Sequence, residues 1–415
     1  MDSDDQAVSA VSHLEGPRSP QVEELPAVIA LSNEVFEPAG ASMGLQFPLL
    51  FSPDNLEGLR VFSDRGKPVA LVGYIRQAIL VDGHRLPVGS IGSVCTAPAY
   101  RGLGLAGKLV SDVLERLQAA EVPVALISGD RGLYKRLGCV EAGRFERFEV
   151  AREVWVGLSS GRCGERAPQA YDTLFRLFEE DDLELLHQLY RREPLRFFRT
   201  REQFDRLIWR HPELMRLYAE EKLLVACRGQ RQPISAYLVT RARTMQDGSR
   251  RVHIVEYAGS REDIISALGF IFAEFSPSVV TFTVPAQDRQ FLCLLNQRGL
   301  VGVPCTLPGH TFFITSFRIL VENLSSYIEE RTDRRPGRDV LVSDEPGTSE
   351  GGEMRWVLRV GGEEAVIPGR AVLARLVFGG ISEQELEGLA GHGPLRVFLE
   401  RAFPVPLPIP GLNYV

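Results

Sequence analysis

The stretch of chain that points most directly to chemistry is SVCTAPAYRGLGLAGKLV, residues 93–110. Within it Arg101, Gly104 and Ala106 form an Arg-x-x-Gly-x-Ala motif between a predicted strand and a predicted amphipathic helix. The first turn of a helix leaves backbone N–H groups without partners and carries a partial positive charge. Small residues at that point let a phosphate approach the backbone closely. The motif therefore predicts a site for phosphate groups such as a pyrophosphate.

Two common nucleotide-binding loops do not fit this spacing. A Rossmann site needs GxGxxG and an acidic residue about 20 positions later, and neither is present in that form. A Walker loop ends in Gly-Lys-Ser or Gly-Lys-Thr, whereas Gly107 and Lys108 are followed here by Leu109. An ordinary strand-to-helix turn with a solvated arginine remains the plain structural alternative.

The elements that would position the motif are predicted from apolar periodicity. A helix is expected from Val22 to about Phe36, followed by an antiparallel meander of three strands: LRVFS, PVALVGYIRQAILV and LPVGSIGSVCTAP. Behind the motif, one helical stripe carries Leu105, Leu109, Val113, Leu114 and Leu117. A short strand VPVALI, a second helix LYKRLGC and a closing strand RFERFEV complete the predicted unit.

In motif and context this segment resembles the GNAT superfamily of acetyl-coenzyme A (acetyl-CoA) dependent N-acetyltransferases, whose signature loop is Gln/Arg-x-x-Gly-x-Gly/Ala. The resemblance implies that backbone groups of Val94 and Thr96 meet the pantetheine arm of acetyl-CoA. It also implies that the pyrophosphate is surrounded by Arg101, Gly102, Leu103, Gly104, Ala106 and Gly107. A second family landmark, Tyr-x-x-x-Gly after a strand, matches Tyr134 and Gly138.

The rest of the chain contains a weak second copy of this pattern. Setting Val94 on Val255 and Gly138 on Gly299 gives the same shift of 161 residues, as a duplicated domain would. On that shift Arg101 meets Glu262, and a glutamate facing pyrophosphate would repel it. Gly104 meets Ile265 and Tyr134 meets Leu295, so we expect one active site per chain.

With its third, C-terminal segment, the chain resembles the enhanced intracellular survival (Eis) family. The resemblance implies tandem GNAT folds with mixed, mostly antiparallel sheets flanked by helices, plus an α+β sterol-carrier-like domain. The expected parts are a mobile leader at 1–20, a catalytic domain at 21–155, a degenerate second domain at 168–315 and the C-terminal domain at 316–415. A breaker-rich linker is expected near 151–169, and prolines at 404, 406, 408 and 410 predict an extended tail.

The Eis resemblance also implies catalytic roles, with Tyr134 as the general acid and the main-chain carboxylate of Val415 as the base. An amine with a pKa near 10 must lose a proton before it attacks a thioester, and a carboxylate can accept or relay it. A phenol stays protonated at neutral pH and can donate to the departing thiolate. No metal is required, and the acceptor is expected to be a primary amine of a small molecule or lysine.

Several of these residues have simpler interpretations. Tyr134 could be a half-buried packing residue, and Val415 could belong to a disordered terminus. Asp130 could touch the acceptor or cap the helix that follows it. Cys95 and Cys139 are better explained by packing than by thiol chemistry. A different class of function, a coenzyme A or lipid-binding regulatory protein with vestigial activity, is opposed by the intact signature loop.

Composition limits the other classes of function. The 415 residues suggest two or three domains, and 44% hydrophobic with 24% charged residues is typical of a folded globular protein. A formal charge of -7 gives no field for gripping nucleic acid. No apolar run is long enough to span a membrane and no secretion signal begins the chain, so the sequence predicts a cytoplasmic protein without membrane partners.

The six cysteines and seven histidines are isolated, without metal-ligand spacing, so no zinc site or disulfide framework is predicted. The family resemblance further implies a homo-oligomer such as a hexamer.

Overall fold

Three antiparallel strands near the N-terminus begin a seven-stranded sheet, as their alternating apolar runs predict. The computed structural model describes residues 13–36, 42–159, 173–217, 221–228, 233–345 and 354–415. The first sheet has the order β1-β2-β3-β4-β5-β14, with β8 also pairing with β3. Its strands are β1 (Leu14–Arg18), β2 (Leu59–Asp64), β3 (Lys67–Val81), β4 (His84–Thr96), β5 (Val124–Ser128), β8 (Leu195–Phe197) and β14 (His310–Ile314).

The second sheet also has seven strands, in the order β13-β6-β12-β11-β10-β9-β7. They are β6 (Phe145–Ala151), β7 (Thr173–Leu177), β9 (Glu221–Arg228), β10 (Ile234–Thr244), β11 (Arg250–Gly259), β12 (Val279–Pro285) and β13 (Val303–Cys305). Each large sheet contains one parallel pair, β4 with β5 and β11 with β12, and the other strand pairs are antiparallel. A third, antiparallel sheet consists of β15 (Val340–Glu345), β16 (Arg355–Val360) and β17 (Glu363–Pro368).

Helices cover these sheets. They are α1 (Leu25–Phe36), α2 (Met43–Gln46), α3 (Leu105–Ala119), α4 (Gly132–Arg136), α5 (Arg152–Ser159), α6 (Leu183–Arg192), α7 (Arg201–Leu217), α8 (Arg261–Phe275), α9 (Arg289–Gln297), α10 (Phe317–Asn323), α11 (Ser325–Thr332), α12 (Gly369–Phe378), α13 (Glu383–Ala390) and α14 (Pro394–Ala402). The predicted mixed α+β fold with mixed sheets flanked by helices is therefore confirmed. Among the described helices, none is long and apolar enough to cross a membrane.

The predicted leader and linker are both partly wrong. Residues 14–18 form β1, which pairs with β2, and Arg18 binds Glu24 at 2.6 Å and the Ser63 hydroxyl at 3.0 Å. Polar composition suggested mobility, but an edge strand can be polar because part of it faces solvent. Residues 152–159 of the expected linker form α5, whose Trp155 and Leu158 pack against the buried cluster formed by the second sheet and α8. The leader residues 1–12 and the linker residues 160–169 lie outside the described part of the chain.

The two large sheets exchange strands across the expected domain boundary. The closing strand β6 is a strand as predicted, but it joins the second sheet beside β12 instead of the first. In return β14, from the expected second domain, pairs with β5 in the first sheet, and β8 pairs with β3. Apolar periodicity identifies a strand but not its partner, so the boundaries at 155 and 168 do not separate independent sheets.

The C-terminal region shares a core with the first sheet. Trp356 and Leu358 of β16 belong to the same buried cluster as Val88, Val124 and Phe312 of the first sheet. The packing of the hydrophobic core is therefore continuous across the boundary expected at 316. The expected strand pair around residues 339–342 and 356–360 is confirmed as β15 and β16.

Candidate active site

The Arg-x-x-Gly-x-Ala motif forms an open turn at the start of α3. Gly102 and Gly104 have φ angles of +88° and +72°, a left-handed region that glycine adopts without strain. Gly104 is the residue that caps α3, and it supplies no side-chain hydrogen bond to the first amides of the helix. The first helical N–H groups therefore stay available to an anion.

Two contacts hold this turn in place. The Tyr100 hydroxyl donates to the Asp64 carboxylate at 2.5 Å, and the Ala97 amide donates to the Val69 carbonyl at 2.8 Å. The exposed Arg101 side chain donates through Nε to the Thr96 carbonyl at 3.3 Å. Leu103 and Ala106 pack against the buried cluster formed by the first sheet and α3, and Gly107 lies next to Leu133. The turn thus places one cation and the open amides at one surface, a donor set that fits a pyrophosphate.

Beside this turn, β4 separates from β5. Their parallel pairing ends where Ile91 faces Ile127, and the register of β4 against β3 shifts between Gly92 and Cys95. Ser93 sits in this bulge with φ of +49°. Val94 is buried and Thr96 is half-buried beyond it. The divergence frees backbone groups of both strands, as an extended pantetheine arm would need.

The end of the chain lies against this bulge. A Cβ on Gly92 would overlap the main-chain carbon and oxygen of Val415, so only glycine permits this approach. The Val415 side chain is buried with Leu50, Ile75 and Cys95. The alternative of a disordered terminus is therefore wrong, although the proline-rich approach is extended as expected, with residues 403–410 in neither helix nor strand.

Tyr134 lies on α4 and is almost completely buried. A Cβ on Gly129 would lie 2.9 Å from the Tyr134 ring, and the Tyr134 carbonyl accepts a hydrogen bond from the Cys139 amide. Burial raises the pKa of Tyr134 to about 12, with smaller contributions from Arg131, which lowers it, and from Cys139 and Tyr414, which raise it. The phenol is therefore protonated at neutral pH, so it can give up a proton but cannot act as a base.

Other candidates near the motifs have structural roles or no assigned role. Burial raises the pKa of both Cys95 and Cys139 to about 12, which keeps the thiols protonated and supports the packing interpretation. The residue that precedes α4 as its cap is Arg131, so Asp130 does not cap that helix. Among the described residues no group of His, Cys, Asp or Glu side chains could hold a metal ion.

A buried ion pair that sequence reasoning missed holds the tail. Arg199 binds Glu256 at 2.6 and 3.0 Å, and their side chains are only 1% and 5% exposed. The same Glu256 carboxylate accepts hydrogen bonds from the Tyr237 hydroxyl at 2.8 Å and from the Leu412 amide at 2.9 Å. Arg199 also donates to the Asn413 side chain at 2.7 Å. We call Arg199, Tyr237, Glu256 and Asn413 the tail clamp.

The charges of the tail clamp are mutually stabilised. Burial opposes ionisation of Glu256, but Arg199 and the hydrogen bonds from Leu412 and Tyr237 hold its pKa below the usual value. The Arg199 guanidinium also lies 4.0 Å from the centre of the Tyr190 ring. No short motif marks these residues, which are far apart in sequence. The only signals were single charged residues inside apolar runs.

The equivalent helix start in the second sheet is closed. The Ser260 side chain caps α8 by accepting from the Asp263 amide, and Arg261 is held by Glu193 at 2.6 Å and Asp288 at 2.8 Å. Glu262 lies in the first turn of α8 and adds a negative charge there. The Ser260 cap therefore satisfies one of the first-turn amides, and Glu262 opposes an anion there, whereas the start of α3 has neither feature.

Part of this chain matches a known family, and several solved structures resemble its fold. The model of an acetyltransferase (GNAT) domain family matches residues 17–142. Residues 17–142 carry a GNAT acetyltransferase domain. The match begins at the end of β1, includes β2 to β5 and α1 to α4, and ends before β6, the strand that joins the second sheet. No curated protein sequence matches the chain significantly.

Several solved structures resemble almost the whole chain, including the regions outside residues 17–142. A GCN5-related N-acetyltransferase from Anabaena variabilis has a TM-score of 0.62 at 16% identity, covering 95% of this chain and 98% of that chain. A probable N-acyltransferase from Enterococcus faecalis has a TM-score of 0.62 at 13% identity, covering 93% and 96%. Eis1 from Mycobacterium abscessus has a TM-score of 0.59 at 14% identity, covering 93% and 95%. At these identities the likeness establishes a shared fold.

The tail clamp predicts a large and specific effect on stability. Replacing Arg199 with Met leaves the Glu256 carboxylate buried without its cation, so we expect the free energy of unfolding to fall by about 3–5 kcal/mol. Urea unfolding measures it. Arg201→Met is the matched control, because Arg201 pairs with Asp205 on the surface and should change stability by less than about 1 kcal/mol.

Removing both charges separates a buried-charge effect from lost packing. We expect Arg199→Met/Glu256→Gln to recover part of the stability lost by Arg199→Met alone. An Arg199→Met protein as stable as the Arg201→Met control would contradict the assignment.

Proposed function

We propose that this protein is an N-acetyltransferase that moves acetyl from acetyl-CoA to a primary amine by direct attack in a ternary complex. The observation that carries the proposal is the convergence of three parts at one place: the open start of α3, the bulge of β4 and the end of the tail. The GNAT domain supports acyl transfer in general. The choice of acetyl, of the acceptor and of each residue's role belongs to the proposal.

The residues have the following proposed roles. Arg101 and the amides from Gly102 to Gly107 bind the pyrophosphate, while backbone groups of Val94 and Thr96 hold the pantetheine arm. The main-chain carboxylate of Val415 accepts a proton from the acceptor ammonium, directly or through water. Tyr134 donates its phenolic proton to the departing sulfur. The amide N–C bond forms and the thioester C–S bond breaks. The second proton that the nitrogen loses as the amide forms restores the Tyr134 phenol, and the proton held by the Val415 carboxylate is released to solvent.

The position of the Val415 carboxylate supports its role. Because it abuts Gly92, it lies on the strand whose bulge would hold the thioester. Tyr134 belongs to the same buried cluster as Val94 of that strand. A carboxylate and a protonated phenol are the acid–base pair that amine acetylation needs.

Three wider features remain proposals. The second sheet has the same single parallel pair bridged by a helix as the first, which supports a second GNAT-like half without a working loop. The region from 316 onward is proposed as sterol-carrier-like. The cytoplasmic location and the homo-oligomer, such as a hexamer, rest on the sequence and on the family resemblance.

Binding of acetyl-CoA tests the proposal directly. We expect isothermal titration calorimetry to show that wild type binds acetyl-CoA and that Arg101→Glu binds at least about tenfold more weakly, because the variant places a negative charge beside the pyrophosphate. Arg338→Glu makes the same charge change at an exposed site and should bind normally. Absence of binding by the wild type would contradict the proposal.

Tyr134 predicts a separable effect on turnover. Tyr134→Phe keeps the buried ring but removes the donor, so kcat should fall by about a hundredfold or more while acetyl-CoA affinity is retained. Because the pKa of Tyr134 is raised to about 12, the phenol stays protonated below that pH, and wild-type kcat should not decline between pH 7 and 10. Thiol release measures both. The control is Tyr74→Phe, because Tyr74 is buried in the same cluster as Tyr134. Equal kcat in the two variants would refute the acid role.

A further inference from the structure

A cavity of about 400 Å³ lies between the second sheet and the tail, with Tyr414 and Pro410 in its wall. Its volume is in the range of small-molecule sites. Besides Tyr414, the charged or titratable side chains among its described lining residues are Arg241, Arg243, His253 and His310, with no carboxylate among them. For a site expected to receive a protonated amine, a lining of this sign is unexpected and informative.

The cavity adjoins the proposed reaction centre. His310 begins β14 opposite Ser128 at the end of β5, and the Gly129 amide donates to the Gly309 carbonyl at 2.8 Å. Gly129 is the residue packed on the Tyr134 ring. On the other side, Tyr414 packs edge-on against His310 with 5.4 Å between ring centres, and Val415 follows it. The cavity wall therefore adjoins both the Gly129 turn that contacts Tyr134 and the residue that precedes Val415.

His310, in the wall of the cavity, carries a buried hydrogen-bond acceptor. Its Nδ1 lies 2.8 Å from the Pro308 carbonyl, which can only accept, so Nδ1 carries the proton. Burial lowers the pKa of His310 to about 4, so the ring is neutral and Nε2 has a free lone pair. His310 is 5% exposed, and Nε2 has no hydrogen-bond partner among the described residues. A buried acceptor of this kind needs a donor, and an amine N–H supplies one.

Most of the positive charge of the cavity comes from Arg243. Arg241 is tied to the Glu221 carboxylate at 2.7 Å, which offsets its charge. The His253 side chain is exposed in part. Partial burial and the nearby Arg241 lower its pKa, so it adds no positive charge at neutral pH. Arg243 is exposed and forms no ion pair with the described part of the chain. The cavity therefore holds an unbalanced guanidinium.

We infer that the acceptor is an amine that also carries an anionic group, a carboxylate or a phosphate. The acid binds at Arg243, and the amine donates a hydrogen bond to Nε2 of His310 before its proton passes to the base. The inference rests on the proposed acetyl transfer and specifies its substrate class. It disfavours polycationic acceptors such as polyamines and aminoglycosides, because a second positive charge would face a guanidinium without a carboxylate to offset it.

Two matched pairs of amines test the inference and distinguish the two acids. Lysine is cadaverine with a carboxylate added on a terminal carbon, so the two share the same pair of amines and only lysine has the acid. Phosphoethanolamine and ethanolamine differ by a phosphate. We expect the anionic member of at least one pair to have about tenfold higher kcat/KM in thiol release with acetyl-CoA, and the better pair names the acid.

Variants then locate the effect. Arg243→Glu should abolish or reverse the preference, while Arg338→Glu, with the same charge change outside the cavity, should keep it. His310→Phe preserves the ring packing but removes Nε2, and should raise the KM for the amine about tenfold without changing the KM for acetyl-CoA. His310→Gln restores an acceptor and should recover part of the loss.

Direct binding separates failure of this inference from failure of the proposed function. Calorimetry of the same four amines reports on the cavity even if no amine is acetylated. Tighter binding of the anionic members with no turnover would support the cavity and contradict acetyl transfer. Equal or tighter binding of cadaverine and ethanolamine, no binding by any of the four, or a preference unchanged in Arg243→Glu would overturn the inference.

Discussion

The buried ion pair between Arg199 and Glu256 is the interaction on which the position of the site depends. It cannot dissociate without leaving an uncompensated charge in the interior, so its geometry is strongly enforced. Because Glu256 accepts the Leu412 amide and Arg199 donates to Asn413, this rigidity is passed to the end of the tail. Val415 follows Asn413 by two residues and is therefore held against Gly92.

The tail also connects regions that would otherwise pack separately. Leu407 belongs to the core shared by the first sheet and the C-terminal region, Leu412 to a core of the second sheet, and Val415 to the core beneath α1. Exchange of β6 and β14 links the same sheets through backbone pairing. The proposed site therefore lies where the two sheets and the tail meet, and the C-terminal region acts on it by fixing the origin of the tail.

The sequence predicted local features best. The meander, α3 and the open turn at Arg101 follow from periodicity and from glycines required at positive φ, which are properties of neighbouring residues. The exchange of β6 and β14 was missed because alternation does not encode which edge a strand joins. The ordered β1 was missed because an edge strand tolerates polar residues.

The candidate site was predicted in part for the same reason. Arg101 and Tyr134 stand in recognisable local motifs, and the structure places both around one strand. The tail clamp and His310 depend on contacts between residues far apart in sequence, such as Arg199 with Asn413, which no spacing reveals. The sign of charge in the cavity likewise emerges only when strands β10 and β11 come together with the tail.

The central claim is that the clamp delivers the Val415 carboxylate as the base, and the turnover of a protein lacking Val415 tests it most directly. Deletion shifts the terminal carboxylate back by one residue, whereas Val415→Ala keeps the carboxylate in place and trims only the side chain. We expect deletion to lower kcat by about a hundredfold with acetyl-CoA affinity retained, and Val415→Ala to stay near wild type. Wild-type kcat after deletion would contradict the account.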